Sequence, residues 1–390
     1  MKILIYVWSL SNGGAERVAS LWAQGFAQDK NNSVCVMLGS FCSKSDYRLP
    51  PHIRIRRQSI VYDIWRHLLP QFIGKRFFSS CYCDYAYAAL PDILKNWFAS
   101  KIIKKESPDV IIVVLPGYLK RIKGALKVGN LNIPVIITDH NVYERPDYAP
   151  LSKMQNKLKF IDSANYDCLT VLTEADKRVL EKKMDKEFMK KVFVLPNPLT
   201  YKPQECVPKK EKVILAVGRL NVWHVKGFDL LLKAWALVQE KYPKWKLKIA
   251  GGGDPSPMKN LCAELNISNR VEFLGFVDLK KEYEKAEIFV LSSRYEGFGM
   301  VLTEAMSQGC ACIACDYKGR QREIITDDSQ GVVCSTDDEK AISEALCKVI
   351  SNDEYRHNLQ KNAIERSRFY ELPNIMKRWD EIFEKMELKK

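Results

Sequence analysis

The sequence alternates short apolar strands with helices along most of its length, and this alternation limits the folds open to it. In the first half, residues 110–115 and 135–138 are short, apolar and rich in β-branched side chains. Such runs are typical of strands that are buried on both faces of a parallel sheet. A helix predicted at 15–28 follows the first strand. The strands predicted in this half are 2–8, 33–38, 110–115, 135–138, 168–172 and 192–195.

The alternation stops once and then starts again. Pro196-Asn197-Pro198 and a polar stretch at 200–212 separate the two halves, which predicts a linker. Strands that alternate with helices predict two doubly wound α/β domains, with ligands bound in the cleft that they share. We expect an acceptor-binding domain at 1–200, completed by a C-terminal helix at about 370–390, and a donor-binding domain at 201–369. The second half has predicted strands at 213–217, 246–250, 271–274, 288–291 and 312–314, and predicted helices at 227–242, 258–265 and 300–307.

Residues 52–105 do not fit the alternation, because ten aromatic side chains are interleaved there with basic ones. One interpretation is a helical element that faces a membrane or the acceptor, since such side chains suit the lipid–water interface. The other is an ordinary helical insertion packed on the first domain. The net charge of +14 favours anionic partners, including a nucleotide or an anionic membrane surface, and a merely basic solvated surface explains it equally well. The sequence contains no nucleic-acid recognition motif.

The composition predicts a globular cytoplasmic protein. No run of about 18 or more apolar residues predicts a membrane-spanning helix, and the N-terminal residues have the pattern of a strand and not of a signal peptide. Twelve cysteines without a secretion signal predict reduced thiols. Cys310, Cys312 and Cys315 alternate with apolar residues as in a buried strand, and neither they nor Cys81 and Cys83 have the spacing of a zinc site.

Two glutamates mark the unit with the most chemistry. Glu296 and Glu304 stand eight positions apart, with Gly297-Phe298-Gly299 between them. A predicted strand leads into this loop and a predicted helix leads out. Free backbone N–H groups at such a helix start bind anions, and carboxylates accept hydrogen bonds from hydroxyls. A phosphorylated sugar offers both groups.

Gly13 and Gly14 end the first strand and open a helix. Glycine lets the backbone turn tightly and approach a phosphate at the helix N-terminus. The pair does not form the G-x-G-x-x-G fingerprint, which disfavours a nicotinamide cofactor. A plain turn between strand and helix is an equally good interpretation of these two residues alone.

Arg219 and Lys226 follow the first strand of the second half. Arginine can donate two parallel hydrogen bonds to a phosphate, and lysine adds a compact positive charge. Together they could stabilise the charge that develops on a leaving nucleoside diphosphate. Without their sequence context, two solvated surface cations would be the better interpretation.

Four motifs occur in the order that a known family shows. They are Gly13-Gly14-Ala-Glu-Arg-Val, Gly218-Arg219-Leu with Lys226-Gly227, Phe273-Leu-Gly275-Phe-Val, and Glu296-Gly-Phe-Gly-Met-Val-Leu-Thr-Glu304-Ala. In order and spacing the chain resembles family 4 of the nucleotide-sugar glycosyltransferases, which are retaining enzymes of GT-B fold. The match is weaker from about 40 to 130. Val222-Trp223-His224 departs from the small or acidic residues that are more usual in that segment.

The resemblance implies a role for each candidate residue on the donor side. The loop of Gly13 and Gly14 would border the donor diphosphate and the acceptor. Glu304 would hold the ribose hydroxyls of the nucleotide, and Glu296 would contact hydroxyls of the transferred sugar. Backbone groups of Phe298 and Gly299 would lie near the donor sugar or phosphate, and those of Gly275 and Phe276 would read the nucleobase. Uracil is the expected base and guanine the alternative, so the donor is a UDP-sugar or a GDP-sugar.

The resemblance also implies the reaction. His140 follows a buried strand, with Asp139 as its companion, and would contact a donor hydroxyl or position the acceptor. Arg219 and Lys226 would stabilise the leaving diphosphate, whose oxygen takes the acceptor proton, so no general base is assigned. No cofactor and no metal are expected. The acceptor is a glycan or a lipid-linked glycan. The enzyme is expected in the cytoplasm, either free or peripheral on the inner membrane face.

Two other functions remain open at this point. A sugar-nucleotide epimerase of the same fold would need acid and base groups around the sugar carbon, and only His140 and Glu296 are available. A non-enzymatic protein could use the basic surface to bind lipid or nucleic acid. The presence of both cations and both glutamates favours the transferase.

Overall fold

A computed structural model describes residues 1–11, 13–40, 47–57, 91–144, 158, 160–161 and 165–388. The described elements form two α/β domains, each built on a parallel sheet. Leu4, Ile5, Leu215 and Ile288 are fully buried in the central strands of the two sheets. The apolar runs thus form sheets covered on both faces, as the sequence predicts.

In the described part of the first domain the strand order is β3-β2-β1-β4-β5-β6-β7. The order therefore reverses direction between β1 and β4, which makes that crevice the switch point of the sheet. The strands are β1 Lys2–Val7, β2 Ser33–Leu38, β3 Arg54–Arg57, β4 Val110–Val114, β5 Val135–Thr138, β6 Cys168–Val171 and β7 Val192–Val194. The helices are α1 Gly14–Phe26, α2 Asp92–Glu106, α3 Leu119–Gly129, α4 Glu174–Glu181 and α5 Lys186–Met189.

The second domain repeats this arrangement with the strand order β10-β9-β8-β11-β12-β13, so its switch point lies between β8 and β11. The strands are β8 Glu211–Val217, β9 Lys246–Ala250, β10 Val271–Gly275, β11 Ala286–Leu291, β12 Ala311–Asp316 and β13 Val332–Ser335. The helices are α6 Phe228–Val238, α7 Ser256–Glu264, α8 Leu279–Lys285, α9 Met300–Ser307, α10 Arg320–Ile324, α11 Glu339–Ser351, α12 Asp353–Ser367 and α13 Leu372–Lys385.

The last helix, α13, packs on the first domain. Trp379 makes an edge contact with Trp22 of α1 at 5.2 Å between ring centroids, and Phe383 lies 5.7 Å from Phe26. These side chains are buried in the same cluster as Ile3 and Ile5 of β1. The C-terminus of the chain therefore covers one face of the first sheet, while α2 and α3 cover the other.

The helical interpretation of residues 52–105 is wrong at one point. Arg54–Arg57 forms the edge strand β3, which pairs in parallel with β2. The buried Glu106 carboxylate of α2 accepts hydrogen bonds from Arg54 at 2.8 Å and Arg56 at 2.6 Å. Arg54 and Arg56, two of the basic residues of this segment, thus stabilise the fold itself. Residues 58–90, which carry eight of the ten aromatic side chains, lie outside the described residues.

The cysteine strand is confirmed. Cys312 and Cys315 lie in β12, and Cys310 directly precedes it; all three are buried. Burial raises the pKa of the Cys312 thiol well above its usual range. Cys81 and Cys83 lie outside the described residues. Among the helices that the structure describes, none combines the length and the apolar character needed to cross a membrane.

Candidate active site

Lys226 and Glu296 meet at the switch point of the second domain. The Lys226 Nζ donates to Glu296 Oε1 at 2.5 Å, and the hydroxyl of Ser293 donates to the same oxygen at 2.8 Å. Both side chains are largely buried, with 19% and 14% of their surfaces exposed. The loop after β8 and the loop after β11 thus place the predicted cation and the predicted carboxylate in direct contact.

The backbone explains why these two loops lie so close together. Gly227 has a φ of +62°, and a Cβ there would lie 1.9 Å from the Ser292 carbonyl oxygen. Only glycine fits this position, because the left-handed backbone and the close approach both exclude a side chain. The Ser292 hydroxyl also donates to the Lys226 carbonyl at 2.9 Å. Lys226-Gly227 therefore packs the loop after β8 against the end of β11.

Arg294 is a buried cation beside this site that sequence reasoning missed. Its side chain is 8% exposed and donates two hydrogen bonds of 2.8 Å to Asp229, one to Asp337 and one to the His224 carbonyl. Burial alone would raise the pKa of Asp229, and the bonds from Arg294 more than offset this, so that pKa is lowered. Arg294 thereby holds the loop that carries Lys226. The signal was its position two residues before Glu296.

Arg219 is exposed, in contrast to Lys226. In the part of the chain that the structure describes, its guanidinium makes no hydrogen bond or ion pair. It lies two residues after the end of β8 and directly precedes the short helical turn Leu220–Val222. The structure therefore presents one paired and one solvent-facing cation at the same strand end.

Gly275 and Phe276 lie at the end of β10. Gly275 has a φ of +65°, and its carbonyl accepts a hydrogen bond from the Gly251 N–H at 2.9 Å. The Phe276 ring is 85% exposed and covers Gly252, where a Cβ would lie 2.1 Å from the ring. The Gly252 carbonyl in turn accepts from the Leu220 N–H. This turn connects the predicted base-binding backbone to the loop of Arg219.

Phe298 and Gly299 have different roles in the fold. The Phe298 ring is buried and makes an edge contact with Tyr370 at 5.4 Å. Gly299 has a φ of +84° and is the residue that precedes α9. Because the Phe298 side chain is committed to the core, only its backbone could face a ligand. The predicted backbone roles of both residues stay predictions.

Glu304 lies inside the protein and not on a solvated helix face. One carboxylate oxygen accepts from Arg17 of α1 at 2.7 Å and from the Thr200 hydroxyl at 2.7 Å, and the other accepts from the Tyr283 hydroxyl at 3.2 Å. Burial raises the pKa of Glu304, and Arg17 with the two hydroxyls counters only part of this rise. Its present partners are all protein groups, and its predicted contact with a ribose stays a prediction.

The first domain contributes Gly13, Gly14 and His140 to the cleft. Gly14 opens α1, and a Cβ there would lie 3.7 Å from the sulfur of Met300 at the start of α9. A Cβ at Gly13 would collide with the carboxylate of Glu16. The starts of α1 and α9 therefore face each other across the two domains.

His140 follows β5 and touches the loop of Glu296. A Cβ at Gly297 would lie 2.8 Å from the His140 carbonyl oxygen, so glycine allows this approach. The ring contacts Trp22 at 5.6 Å, its Nε2 lies 3.2 Å from the Thr138 hydroxyl, and its buried Nδ1 has no partner within the described residues. Burial lowers the pKa of His140 to about 4, although the neighbouring Asp139 opposes this. The imidazole is therefore neutral near pH 7.

Two further contacts join the domains beside this cleft. Arg320 donates to Asp176 at 2.6 Å, and both side chains are 1% exposed. The Glu323 carboxylate accepts from the N–H groups of Glu174 and Ala175 at the start of α4. A carboxylate at a helix N-terminus is stabilised by the free N–H groups there. Nothing in the sequence indicates these contacts, because the partners lie more than a hundred residues apart.

Comparison with known proteins decides the family. The family model described as Glycosyltransferase Family 4 matches residues 12–200, and the one described as Glycosyl transferases group 1 matches residues 199–366. Together they span nearly the whole chain. The chain belongs to glycosyltransferase family 4. It is a hexosyltransferase, and the predicted GT-B fold is confirmed.

One relative matches along almost its full length. It is the GalNAc-alpha-(1->4)-GalNAc-alpha-(1->3)-diNAcBac-PP-undecaprenol alpha-1,4-N-acetyl-D-galactosaminyltransferase of Campylobacter jejuni, 28% identical, with 97% of each chain covered. The fold is similar to that of sucrose-phosphate synthase from Thermosynechococcus elongatus, with a TM-score of 0.74 at 20% identity and 99% of each chain covered. It is also similar to HepE of Anabaena in complex with UDP and glucose, with a TM-score of 0.72 at 16% identity over 98% of this chain and 99% of HepE.

Proposed function

We propose that this transferase takes a sugar from a nucleoside-diphosphate sugar and retains its anomeric configuration. The contact of Lys226 with Glu296, beside the solvent-facing Arg219, carries this proposal. Two cations at one strand end suit a diphosphate, whose negative charge grows as the glycosidic bond breaks. Glu296 compensates the charge of Lys226 until the donor phosphate takes the place of Glu296 beside that lysine. Glu296 then accepts hydrogen bonds from hydroxyls of the sugar.

In this proposal the reaction needs neither a general base nor a metal ion. The acceptor attacks the face from which the diphosphate leaves, and a phosphate oxygen of the leaving group takes the acceptor proton. The anomeric carbon gains the bond to the acceptor oxygen as it loses the bond to phosphate. Arg219 and Lys226 supply the positive charge that a metal provides in other transferases. The neutral imidazole of His140 accepts a hydrogen bond from a sugar hydroxyl or donates one to it.

Donor binding also involves Glu304 in this proposal. Its carboxylate is held by Arg17 from the other domain. We propose that a nucleotide ribose takes the place of Arg17, so that donor binding exchanges an ion pair between domains for two hydroxyl contacts. Gly275 and Phe276 would read the base through the backbone. We favour UDP, since the similar structure of HepE holds UDP; GDP is the alternative.

The acceptor in this proposal is a lipid-linked glycan, as in the Campylobacter relative, and the product belongs to a polysaccharide or glycoconjugate. One surface of the first domain suits such a substrate. The exposed face of α2 carries Ile93, Leu94 and Trp97 in its first half and Lys101, Lys104 and Lys105 in its second half. Ile93 is 67% exposed, and the Lys101 ammonium lies 5.1 Å from the Trp97 ring.

This face of α2 is a candidate for contact with an anionic membrane. Apolar and aromatic side chains enter the interface, while lysines meet the lipid phosphates. Three residues separate the end of the helix from the start of β4, so the C-terminus of the helix lies at the amino edge of the sheet. The apolar start of the helix therefore lies near the opposite edge, which faces the cleft. We propose peripheral binding through this helix, which brings the cleft close to the lipid surface.

A thermal-shift screen tests the donor. UDP, GDP and their glucose, N-acetylglucosamine and N-acetylgalactosamine conjugates are compared on the full chain. The correct nucleotide stabilises the folded state by about 2.7 kcal/mol at a hundred times its Kd. Lys226→Ala should abolish the shift, while Lys233→Ala, an exposed lysine on α6, should keep it. A chain that no nucleotide stabilises contradicts the proposal.

Conversion of the donor sugar into an epimer without any acceptor would favour the epimerase.

A further inference from the structure

The switch point of the first domain carries aromatic rings in place of cations. Trp8 follows β1 and Tyr118 follows β4, so they stand on the two sides of the crevice. Their rings are stacked, with centroids 6.0 Å apart and planes 17° from parallel. The edge of Tyr6 supports Tyr118 from the core at 6.1 Å. Trp8 is nevertheless 39% exposed, so part of its indole is accessible to solvent.

Two backbone features hold this pair in place. Gly39, just after β2, lies against the indole, and a Cβ there would be 2.6 Å from the Trp8 ring. Leu115 has a φ of +79°, which is rare for a branched side chain. Its N–H donates to the Thr138 carbonyl at 3.0 Å, and it leads into the turn Pro116–Tyr118 that carries the tyrosine. A strained residue of this kind persists only where its surroundings impose it, and such residues concentrate at ligand sites.

A carboxylate completes the crevice. Glu16, on the first turn of α1, folds its side chain back over Gly13. In the described part of the chain its oxygens make no hydrogen bond or ion pair. Burial raises the pKa of Tyr118, and the charge of Glu16 raises it further, which places the carboxylate within electrostatic reach of the Tyr118 hydroxyl. The crevice thus offers an aromatic face and an acceptor for hydroxyl groups.

We propose that Trp8, backed by Tyr118, is a platform for a sugar ring of the acceptor, and that Glu16 accepts hydrogen bonds from its hydroxyls. The C–H groups on one face of a pyranose complement the negative face of an indole, and a carboxylate accepts two hydroxyl donors. The same carboxylate repels negative charge, so the ring pair with Glu16 suits an uncharged glycan. The proposal rests on the proposed function and extends it to the acceptor.

Fluorine NMR of the full chain labelled with 5-fluorotryptophan tests this platform. The probes are the methyl α-glycosides of glucose, galactose, N-acetylglucosamine and N-acetylgalactosamine, with mannitol as an open-chain control. Loss of one signal in Trp8→Phe assigns Trp8 among the eight tryptophans, and Trp97, 43% exposed, is the internal reference. We expect at least one glycoside to shift the Trp8 signal saturably while the Trp97 signal stays in place and mannitol has no effect.

Variants separate this inference from the proposed function. Glu16→Gln should weaken the apparent affinity for the glycoside about tenfold, while the thermal shift with UDP persists. If UDP gives no thermal shift but Trp8 responds, the proposed donor fails and the sugar platform stands. If UDP binds and no glycoside shifts the Trp8 signal, or if the Trp8 and Trp97 signals shift alike, the platform is overturned.

Discussion

The two domains share one strand order but differ in the chemistry of their switch points. Between β8 and β11 the structure places Arg219 and Lys226, with Arg294 buried behind them. Between β1 and β4 it places Trp8 and Tyr118. The same parallel topology thus presents cations in one half and aromatic rings in the other.

This difference separates the two substrates of a transferase by their charge. A nucleoside diphosphate is strongly anionic, so its site needs cations that keep their positions when the donor leaves. Glu296 pairs with Lys226 and Asp229 pairs with Arg294, and these ion pairs hold the cations in place. They are needed because burial of a cation without a partner is unfavourable in free energy. A glycan is neutral, and an aromatic face with one carboxylate suits it.

Removal of the paired cation should have the largest effect. We expect Lys226→Ala to lower kcat by roughly a hundredfold to a thousandfold, which is the range found when one group that stabilises transition-state charge is lost. Release of the nucleoside diphosphate in a coupled assay measures this. Near wild-type turnover in the variant would show that the charge of Lys226 plays no part in the reaction. Lys233→Ala, on the exposed face of α6, is the matched control.

Acid should destabilise the first domain through His140. Its pKa is about 4 in the folded chain and 6.5 in an unfolded one. Between these values the unfolded chain binds a proton that the folded chain does not, so stability falls as the pH decreases from about 6.5 to about 4. The full loss from this group is roughly 3 kcal/mol.

Urea unfolding at several pH values measures this loss as a difference between proteins. His140→Gln should flatten the decline in the free energy of unfolding, whereas His357→Gln, at an exposed position, should leave it unchanged. The raised pKa values of Glu304 and Glu323 act in the opposite direction, and they cancel in the comparison because all three proteins contain them. Equal slopes in the wild type and His140→Gln would contradict the assignment.

A smaller effect is expected on membrane binding. Each lysine near an anionic surface contributes about 1 kcal/mol, so the double variant Lys104→Ala with Lys105→Ala should bind anionic vesicles roughly thirtyfold more weakly. Sedimentation with vesicles of phosphatidylglycerol and phosphatidylcholine measures this. Lys340→Ala with Lys361→Ala removes the same charge from exposed positions in the second domain and should bind as the wild type does. If both double variants bind equally, α2 has no special role.

The smallest expected effect is that of a chelator. If Arg219 and Lys226 supply the positive charge for the leaving diphosphate, turnover should not change when EDTA removes divalent cations. The reaction is run with and without EDTA but without coupling enzymes, since these can depend on metal ions. The product is quantified directly by chromatography. A loss of activity that Mg²⁺ or Mn²⁺ restores would overturn the metal-independent proposal.

Elements with a strong local signal were predicted well. The apolar runs of β1, β4 and β5 were found to within one residue, and α9 was predicted with the bounds that the structure has. The edge strand β3 was missed because its sequence, Arg-Ile-Arg-Arg, is polar and has no buried face. Its stability comes from pairing with β2 and from Glu106, which lies fifty residues away.

The candidate site was predictable only in part, for a similar reason. Glycines and cations beside a strand end, such as Gly227 and Lys226, leave a pattern in the sequence. Arg17 lies within one of the four motifs and Arg294 two residues before another. Nothing local indicates that Arg17 binds Glu304 and Arg294 binds Asp229. Trp8 has the pattern of an ordinary strand residue, and only the stacking on Tyr118 distinguishes it.

The sequence by itself determined that two parallel α/β domains form and which loops carry the chemistry, because hydrophobic periodicity and glycine positions act over a few residues. The tertiary structure alone decided which charges are compensated. Glu296 turned out to pair with Lys226, and Glu304 with Arg17 across the domains. Pairing of this kind depends on burial and on distances of a few ångströms between distant segments, and neither quantity is encoded in spacing along the chain.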